Sequence, residues 1–282
     1  MIKNTISLSV LVENTIVQEG LKAEHGFSVC LETPRGNVLW DTGQSSLFLE
    51  NARKMGIEIE NVSCVALSHG HYDHTGGLAG FLTLNPQVRV HGHPDLFIQR
   101  FVRTRDSVYS VRPIGSPIVK EIVQAMCKEL ELSRQPSEII PGVFLTGEIP
   151  RITKCEDTGG EFFLDVECTV QDPIIDDLAL YLETSQGIVV LLGCAHAGVI
   201  NTVNHVAKLT GKKRLYAVLG GMHLIRASDE RLEETANTLA KYDVQMIGPC
   251  HCSGDRAKTL FRSRFPERMI DCATGRRLTL AI

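Results

Sequence analysis

The feature that most constrains this chain is a short loop, His69 to His74, in which three histidines and one aspartate lie within six consecutive positions. The loop follows an apolar stretch, Val62 to Leu67, that has the pattern of a short buried strand. Neutral imidazoles and a carboxylate are ligands that suit zinc, and iron or manganese less exclusively. Because these side chains are too close in sequence to surround one ion, the loop predicts a site for two. The alternative interpretation is a polar loop whose histidines merely cap a helix.

Size and composition place the chain among ordinary globular proteins. It has 282 residues, of which 43% are hydrophobic and 22% charged, enough to bury a large core. A net charge of -4 gives no basic footprint, so we expect a small-molecule substrate and no nucleic-acid partner. The oligomeric state stays open, and a homo-oligomer is compatible with the sequence.

Cysteine usage and hydropathy predict a cytoplasmic protein that does not enter a membrane. The nine cysteines are scattered without framework spacing, which is typical of reduced thiols in the cytosol. The first residues alternate between apolar and polar as in a strand, and they lack the features of a signal peptide. No stretch approaches the roughly 18 apolar residues of a membrane span.

Strand-like patterns dominate the first part of the chain. Predicted strands cover Ile6 to Val12, Gly26 to Glu32, Gly36 to Asp41 and Val88 to His91, with a helix from Ser46 to Met55. Residues 95–141 change in character, because they carry basic and aromatic residues and then a helical pattern from Ile118 to Leu130. We interpret them as an insertion or lid over one face of a single domain, 1–282.

The second half is more regular, with strands and helices in alternation. Leu178 to Glu183 and Gly187 to Leu192 predict a hairpin. This hairpin and the two strands that follow it each end in a glycine-flanked loop, and these loops contain His196, His223 and His251. Since mixed α/β sheets hold ligands at the carboxyl ends of their strands, we expect these histidines to lie near the His69–His74 loop.

The histidine loop, together with Asp41-Thr42-Gly43 and the later histidine-bearing strand ends, resembles the metallo-β-lactamase superfamily. The resemblance implies an α/β (α+β) fold, a four-layer αββα sandwich with a helical insertion, and a dinuclear metal site. Carried over, His69 and His71 would hold one divalent ion, and Asp73 and His74 the other. His251 matches the final histidine ligand of the superfamily. Zinc is the first expectation for both ions, with iron or manganese as alternatives.

Two positions depart from the superfamily pattern. Cys194 stands where the resemblance would place a bridging carboxylate, and a histidine expected before the hairpin is missing. His196, two residues after Cys194, is the candidate to replace the missing ligand. The carboxylates found before the hairpin are alternatives for completing the metal site, namely Asp172, Asp176 and Asp177.

Within the superfamily, several segments resemble a narrower group. They are Glu24 to Ser28, Trp40 to Gln44, Gly193 to Gly198 and Gly220 to Leu224. This group contains 7,8-dihydropterin-6-methyl-4-(β-D-ribofuranosyl)aminobenzene-5'-phosphate synthases and proteins described only as metal-dependent hydrolases. It implies a hydrolase, or a synthase that displaces pyrophosphate, acting on a small anionic, phosphorylated or pterin-like substrate. Because one fold hosts many chemistries, an iron-dependent redox enzyme and a ligand-binding or sensor protein remain the alternatives.

Specific roles follow for several residues. Asp73 would bind metal and orient the nucleophile, and His223 would contact substrate or support a ligand; both are the catalytic candidates. We interpret Cys250 and Cys252 as packing residues. The arginines of the insertion would either receive a phosphate or carboxylate or form a solvated face, and they are Arg100, Arg103, Arg105 and Arg112.

Overall fold

The computed structural model describes residues 5–104 and 110–281. Arg105, one of the candidate anion-binding arginines, lies outside them. The first half of the chain contributes strands and short helices with the bounds β1 Thr5–Val12, β2 Ser28–Thr33, β3 Gly36–Trp40, α1 Leu47–Lys54, a 3-10 turn Ile59–Asn61, β4 Cys64–Ala66, α2 Tyr72–Thr75, α3 Leu78–Leu84, β5 Arg89–Gly92, β6 Phe101–Thr104, β7 Ser110–Pro113, α4 Lys120–Met126 and β8 Glu129–Leu132.

The second half ends in a regular alternation of parallel strands and helices. Its elements are β9 Ser137–Ile140, β10 Val143–Leu145, β11 Phe162–Phe163, β12 Ala179–Thr184, β13 Gly187–Leu192, α5 Val199–Thr210, β14 Leu215–Gly221, α6 Asp229–Lys241, β15 Met246–Cys250, α7 Asp255–Arg264 and β16 Arg277–Ala281. The predicted hairpin is confirmed, because β12 and β13 pair antiparallel from Ala179 opposite Leu192 to Thr184 opposite Gly187.

Two large sheets form the body of the protein. One has seven strands in the order β16-β1-β2-β3-β4-β5-β8, and the other has six in the order β15-β14-β13-β12-β10-β9. In the first sheet β3, β4 and β5 run parallel, and in the second β13, β14 and β15 do so. A small third sheet joins β6, β7 and β11.

Three apolar clusters define the layers. The first contains buried residues of both large sheets, such as Val29 and Leu191, and therefore lies between them. The second joins the six-stranded sheet to α5, α6 and α7, and the third joins the seven-stranded sheet to α1, α3 and α4. The Trp40 indole N–H donates to the Leu192 carbonyl oxygen at 3.3 Å and ties the two sheets together. This arrangement confirms the predicted four-layer αββα sandwich.

The predicted insertion at residues 95–141 contains more strand than the sequence pattern indicates. The helix expected from Ile118 to Leu130 is wrong in length, because α4 ends at Met126 and β8 then pairs parallel with β5. Pairing with an open sheet edge overrides the helical periodicity of this stretch. Among the described residues no helix is both long and apolar enough to cross a membrane.

Candidate metal centre

Four loops meet at one edge of the two sheets. The loop after β4 contains the predicted histidine cluster, and the loops after β13, β14 and β15 contain His196, His223 and His251. Backbone hydrogen bonds fix the first loop from behind: Thr42 N–H donates to the His74 carbonyl at 2.7 Å, and Gly70 N–H donates to Asp176 at 2.8 Å.

Three buried imidazoles face one another in this centre. The ring centroids of His69, His71 and His196 are 4.6 Å, 4.8 Å and 4.9 Å apart, and each residue is at most 5% exposed. The Nε2 atom of each ring is buried and has no hydrogen-bond partner among the described residues. Because a buried, unpaired polar atom is costly, three of them on neighbouring rings are candidates to share a cationic ligand.

Hydrogen bonds on the far side of two of these rings set their tautomers. The Ser68 hydroxyl donates to Asp41 at 2.7 Å, so it must accept from His69 Nδ1, which is 2.8 Å away. His196 Nδ1 is 2.8 Å from the carbonyl oxygen of Thr158, which can only accept. Both Nε2 atoms therefore keep a free lone pair. Burial also lowers the pKa of His69, His71 and His196 well below the ordinary histidine value, so these rings are neutral.

A second group contains Asp73, His74 and His251. His251 Nε2 lies 3.2 Å from Asp73 Oδ2 and 3.3 Å from His74 Nε2. His74 Nδ1 donates to Asp41 at 2.6 Å and His251 Nδ1 to the Asn14 amide oxygen at 3.0 Å, so both Nε2 atoms point inward. Ligand nitrogens on a tetrahedral zinc ion are about 3.4 Å apart, so this spacing suits metal binding.

The second group requires a cation between its two imidazoles. Two nitrogen lone pairs 3.3 Å apart repel each other unless a proton or a metal ion lies between them. Burial disfavours the charged form of His74, but the charges of Asp41 and Asp73 outweigh burial and raise its pKa to about 9. In the metal-free protein His74 is therefore protonated on Nε2 as well as on Nδ1, and a bound divalent ion would displace the proton on Nε2.

Cys194 lies between the two groups. It is 2% exposed, and its Sγ atom is 3.2 Å from His74 Nε2. The ligand atoms of Cys194, His69 and His196 all lie within 4.8 Å of one another, and so do those of Cys194, His74 and His251. The sulfur thus has the central position that the sequence resemblance assigns to a bridging ligand.

His223 lies beside this centre. Its ring centroid is 4.3 Å from that of His196, and its Nδ1 atom is buried without a described partner. Cys252, which we interpreted from the sequence as a packing residue, lies in the same place, with its sulfur 3.4 Å from that of Cys194. Cys252 is in none of the three apolar clusters of the described residues, whereas Cys250 packs in the core between the sheets.

The three alternative carboxylates are engaged elsewhere. Asp172 and Asp176 form a buried ion-pair cluster with Arg100, with distances of 2.8 Å and 2.7 Å to the guanidinium. Asp177 accepts a hydrogen bond from Ala197 N–H at 2.8 Å, and burial raises its pKa to about 7. Arg100 is 1% exposed, so the expectation that it receives a substrate anion is wrong.

The exposed rim of the centre is aromatic and basic. The His25 side chain is 52% exposed, and its Nε2 atom lies 3.1 Å from Asp73 Oδ2. Arg112 is exposed and stacks over the ring of Tyr72 at 5.6 Å. The ring of Phe162, from the small sheet, packs 5.3 Å from both His71 and His196.

An αββα sandwich with imidazoles, a carboxylate and a thiol clustered at one sheet edge defines a class of metal-binding proteins. The family model of the metallo-β-lactamase superfamily matches residues 21–142. A 7,8-dihydropterin-6-methyl-4-(β-D-ribofuranosyl)-aminobenzene-5'-phosphate synthase of Methanocaldococcus jannaschii is 31% identical over 255 residues, which are 87% of this chain and 86% of that protein. An uncharacterised protein of the same organism is 32% identical over 89% of this chain and 92% of its own length.

The solved structures agree with these relatives. The crystal structure of a metal-dependent hydrolase of the β-lactamase superfamily has a TM-score of 0.83 and 31% identity, and the match covers 97% of this chain and 98% of that one. The chain therefore belongs to the metallo-β-lactamase superfamily of metal-dependent enzymes.

Proposed function

We propose that the protein is a metal-dependent enzyme with a dinuclear centre, acting as a hydrolase or transferase on a small anionic substrate. The observation that carries the proposal is the packing of three buried imidazoles, those of His69, His71 and His196, whose Nε2 atoms have no hydrogen-bond partner among the described residues. The rings of His69 and His196 have tautomers that leave Nε2 with a lone pair for an ion. A packing role would leave these three nitrogens without any partner.

Each group of ligands is assigned one ion. His69, His71 and His196 would hold the first, and Asp73, His74 and His251 would hold the second. The Cys194 thiolate would lie between them, because its sulfur is within 4.8 Å of the ligand atoms of His69 and His196 and of those of His74 and His251. Imidazole-rich groups with one carboxylate favour zinc, and iron or manganese are the alternatives. Divalent ions bound here would lower the pKa of a nearby water and polarise a substrate oxygen.

The surrounding residues would orient the substrate and move protons. Asp73 Oδ2 lies 3.1 Å from His25 Nε2, and the exposed His25 ring connects this carboxylate to solvent. A proton released near Asp73 can therefore pass to His25 and leave the site. His223 is close enough to His196 to contact a substrate bound at the first ion. Phe162 covers two of the ligand rings and excludes water from that side.

A phosphorylated, pterin-like substrate is favoured by the rim and by one relative. Arg112 is exposed beside Tyr72 and can bind a phosphate while the aromatic ring stacks on a planar group. The Methanocaldococcus jannaschii relative is named as the synthase of a dihydropterin-containing phosphate. We infer either a transfer that displaces pyrophosphate or a hydrolysis at this centre.

The test is the metal content of the purified chain and of His71→Ala, measured by elemental analysis. We expect at least two ions per wild-type chain and a clear loss in the variant, because one ligand of the first group is removed. The matched control is His91→Ala, since His91 is also a buried histidine with an unpaired Nε2 but lies on β5, outside both proposed ligand groups. Unchanged stoichiometry in His71→Ala would refute the assignment.

Activity assays separate the competing functions. The wild-type protein would be tested for hydrolysis of phosphodiester, ester and lactone substrates. It would also be tested for a transfer reaction that releases pyrophosphate. Bound iron with visible absorbance would favour the redox alternative. Two bound ions with no turnover on any of these substrates would favour a ligand-binding or sensor protein.

A further inference from the structure

Two thiols and one imidazole meet beside the imidazole–carboxylate groups. The sulfur atoms of Cys194 and Cys252 are 3.4 Å apart. The ligand atoms of Cys194, His223 and Cys252 all lie within 4.8 Å of one another. His223 Nδ1 is buried and has no described hydrogen-bond partner, so the cluster contains an unsatisfied ligand atom as well as two sulfurs.

The neighbouring backbone leaves space for this cluster. A Cβ atom on Gly159 would lie 2.0 Å from the His223 ring, so only glycine there allows the ring to take its place. A Cβ atom on Gly221 would lie 2.3 Å from the Gly193 carbonyl oxygen and 2.8 Å from the Cys252 sulfur. The backbone N–H of His223 donates to the Cys252 sulfur at 3.3 Å and holds the sulfur beside this residue.

We propose that Cys194, Cys252 and His223 bind one thiophilic divalent ion. Two thiolates and an imidazole are the ligand set of open zinc sites that keep a fourth position free. Thiolates on a tetrahedral ion with bonds of about 2.3 Å are roughly 3.8 Å apart, so the observed sulfur contact needs to open by only a few tenths of an ångström. A disulfide would instead require an approach to about 2.05 Å.

This inference extends the proposed metal centre, because Cys194 belongs to both. It adds two ligands, Cys252 and His223, that the imidazole–carboxylate groups do not need. The consequence is a sulfur-rich side of the centre that selects zinc or cadmium over manganese and magnesium. A substrate group could then bind at the free position of this ion.

The experiment is a titration of the reduced full-length chain with Co²⁺, followed by the sulfur-to-cobalt charge-transfer absorbance. We expect a band in the wild type, roughly half of it in Cys252→Ser because one of two thiolates is lost, and none when Cys194 is also replaced by serine. The matched control is Cys127→Ser, because Cys127 packs against the opposite helical layer. A full-strength band in Cys252→Ser would overturn the proposal.

His71→Ala separates this site from the proposed dinuclear centre. If the variant loses bound ions but keeps the charge-transfer band, both assignments hold. If its stoichiometry is unchanged while the band still depends on Cys252, the dinuclear assignment fails and the sulfur site stands.

A measurement on the wild type covers the case in which Cys252→Ser does not fold. Saturating Cd²⁺ should slow alkylation of Cys252 at least roughly tenfold, read by mass spectrometry, because a coordinated thiolate is a poor nucleophile. Cys127 serves as the internal control, with an unchanged rate. Equal alkylation of Cys252 with and without Cd²⁺ would contradict the proposal.

Discussion

Asp41 shows how one residue outside the ligand set can determine the state of the centre. Its carboxylate accepts hydrogen bonds from Ser68 N–H, the Ser68 hydroxyl and His74 Nδ1, at 2.7 Å, 2.7 Å and 2.6 Å. Through Ser68 it also sets the tautomer of His69. One buried carboxylate therefore directs a lone pair of each ligand group toward the centre.

We expect Asp41→Asn to weaken metal binding about 10–100-fold. Asparagine accepts the left-handed backbone at this position, where φ is 56°, so the fold should persist. The asparagine side chain, however, has an NH₂ group in place of one carboxylate oxygen. This group cannot accept hydrogen bonds from Ser68 or His74. Competition with a chelator would measure the affinity. The control is Asp177→Asn, equally buried but in contact with the Ala197 backbone instead of a ligand ring. Equal affinity in the Asp41 variant and wild type would count against this role.

Local spacing explains why the first four candidate ligands were accessible from the sequence. His69, His71, Asp73 and His74 lie on one turn, so their proximity needs no tertiary information. The role of Asp41 was not accessible, because its partners are 27 and 33 positions away. Cys252 was missed because the direction of its side chain depends on His251, whose φ of 52° turns the chain sharply.

At the scale of elements, the parallel strands β13, β14 and β15 bring the later candidates together. Leu192 lies opposite Gly220 and Gly221 opposite Cys250, so the loops after the three strands begin side by side. The sequence predicts that these strands end in loops containing histidine, and the register of the strands explains why His196, His223 and His251 lie close together. Left-handed residues follow the strands at Ala195, His223 and His251, which is a strained arrangement typical of functional sites.

The ion-pair cluster of Arg100 with Asp172 and Asp176 links the small sheet to the first ligand loop. Asp176 accepts from Gly70 N–H, between two ligand histidines, and also pairs with Arg100 just before β6. The composition of residues 95–141 suggested solvent-exposed arginines, and no local pattern distinguishes a buried one. The partners of Arg100 are Asp172 and Asp176, which precede β12 and meet Arg100 only in the folded chain.

We expect Arg100→Ala to destabilise the protein by about 3–5 kcal/mol, because two buried carboxylates lose their cation. Urea unfolding of the metal-free protein would measure the change in the free energy of unfolding. Arg103→Ala is the matched control, three residues further along the chain in β6. Arg103 is only half-buried and stacks on Phe163 at 4.8 Å, so its loss should cost less than about 1 kcal/mol. Similar losses of unfolding free energy in the two variants would argue against a stabilising role for the ion-pair cluster of Arg100.

At the scale of the whole molecule, the centre spans the two halves of the sandwich. His69 to His74 follow a strand of the seven-stranded sheet, and the other ligands follow strands of the six-stranded sheet. The three apolar clusters join each sheet to its helices and the two sheets to each other, so the layers hold together by burial of hydrophobic side chains. Metal should therefore act as an additional link between two sheets that are already packed.

Metal removal should lower the melting temperature without unfolding the chain. An ion present at about 1,000 times its dissociation constant adds about 4 kcal/mol to stability, which corresponds to a shift of roughly 10 °C for a chain of this size. Calorimetry with saturating Zn²⁺ and with chelator would measure the shift, and circular dichroism at 25 °C would check the fold. His71→Ala, which has lost a ligand of the first group, should show a smaller difference between the two conditions. An ion that joins the two sheets must bind the folded chain more tightly than the unfolded one. If the melting temperature of the wild type does not change with chelator, metal has no such cross-linking role.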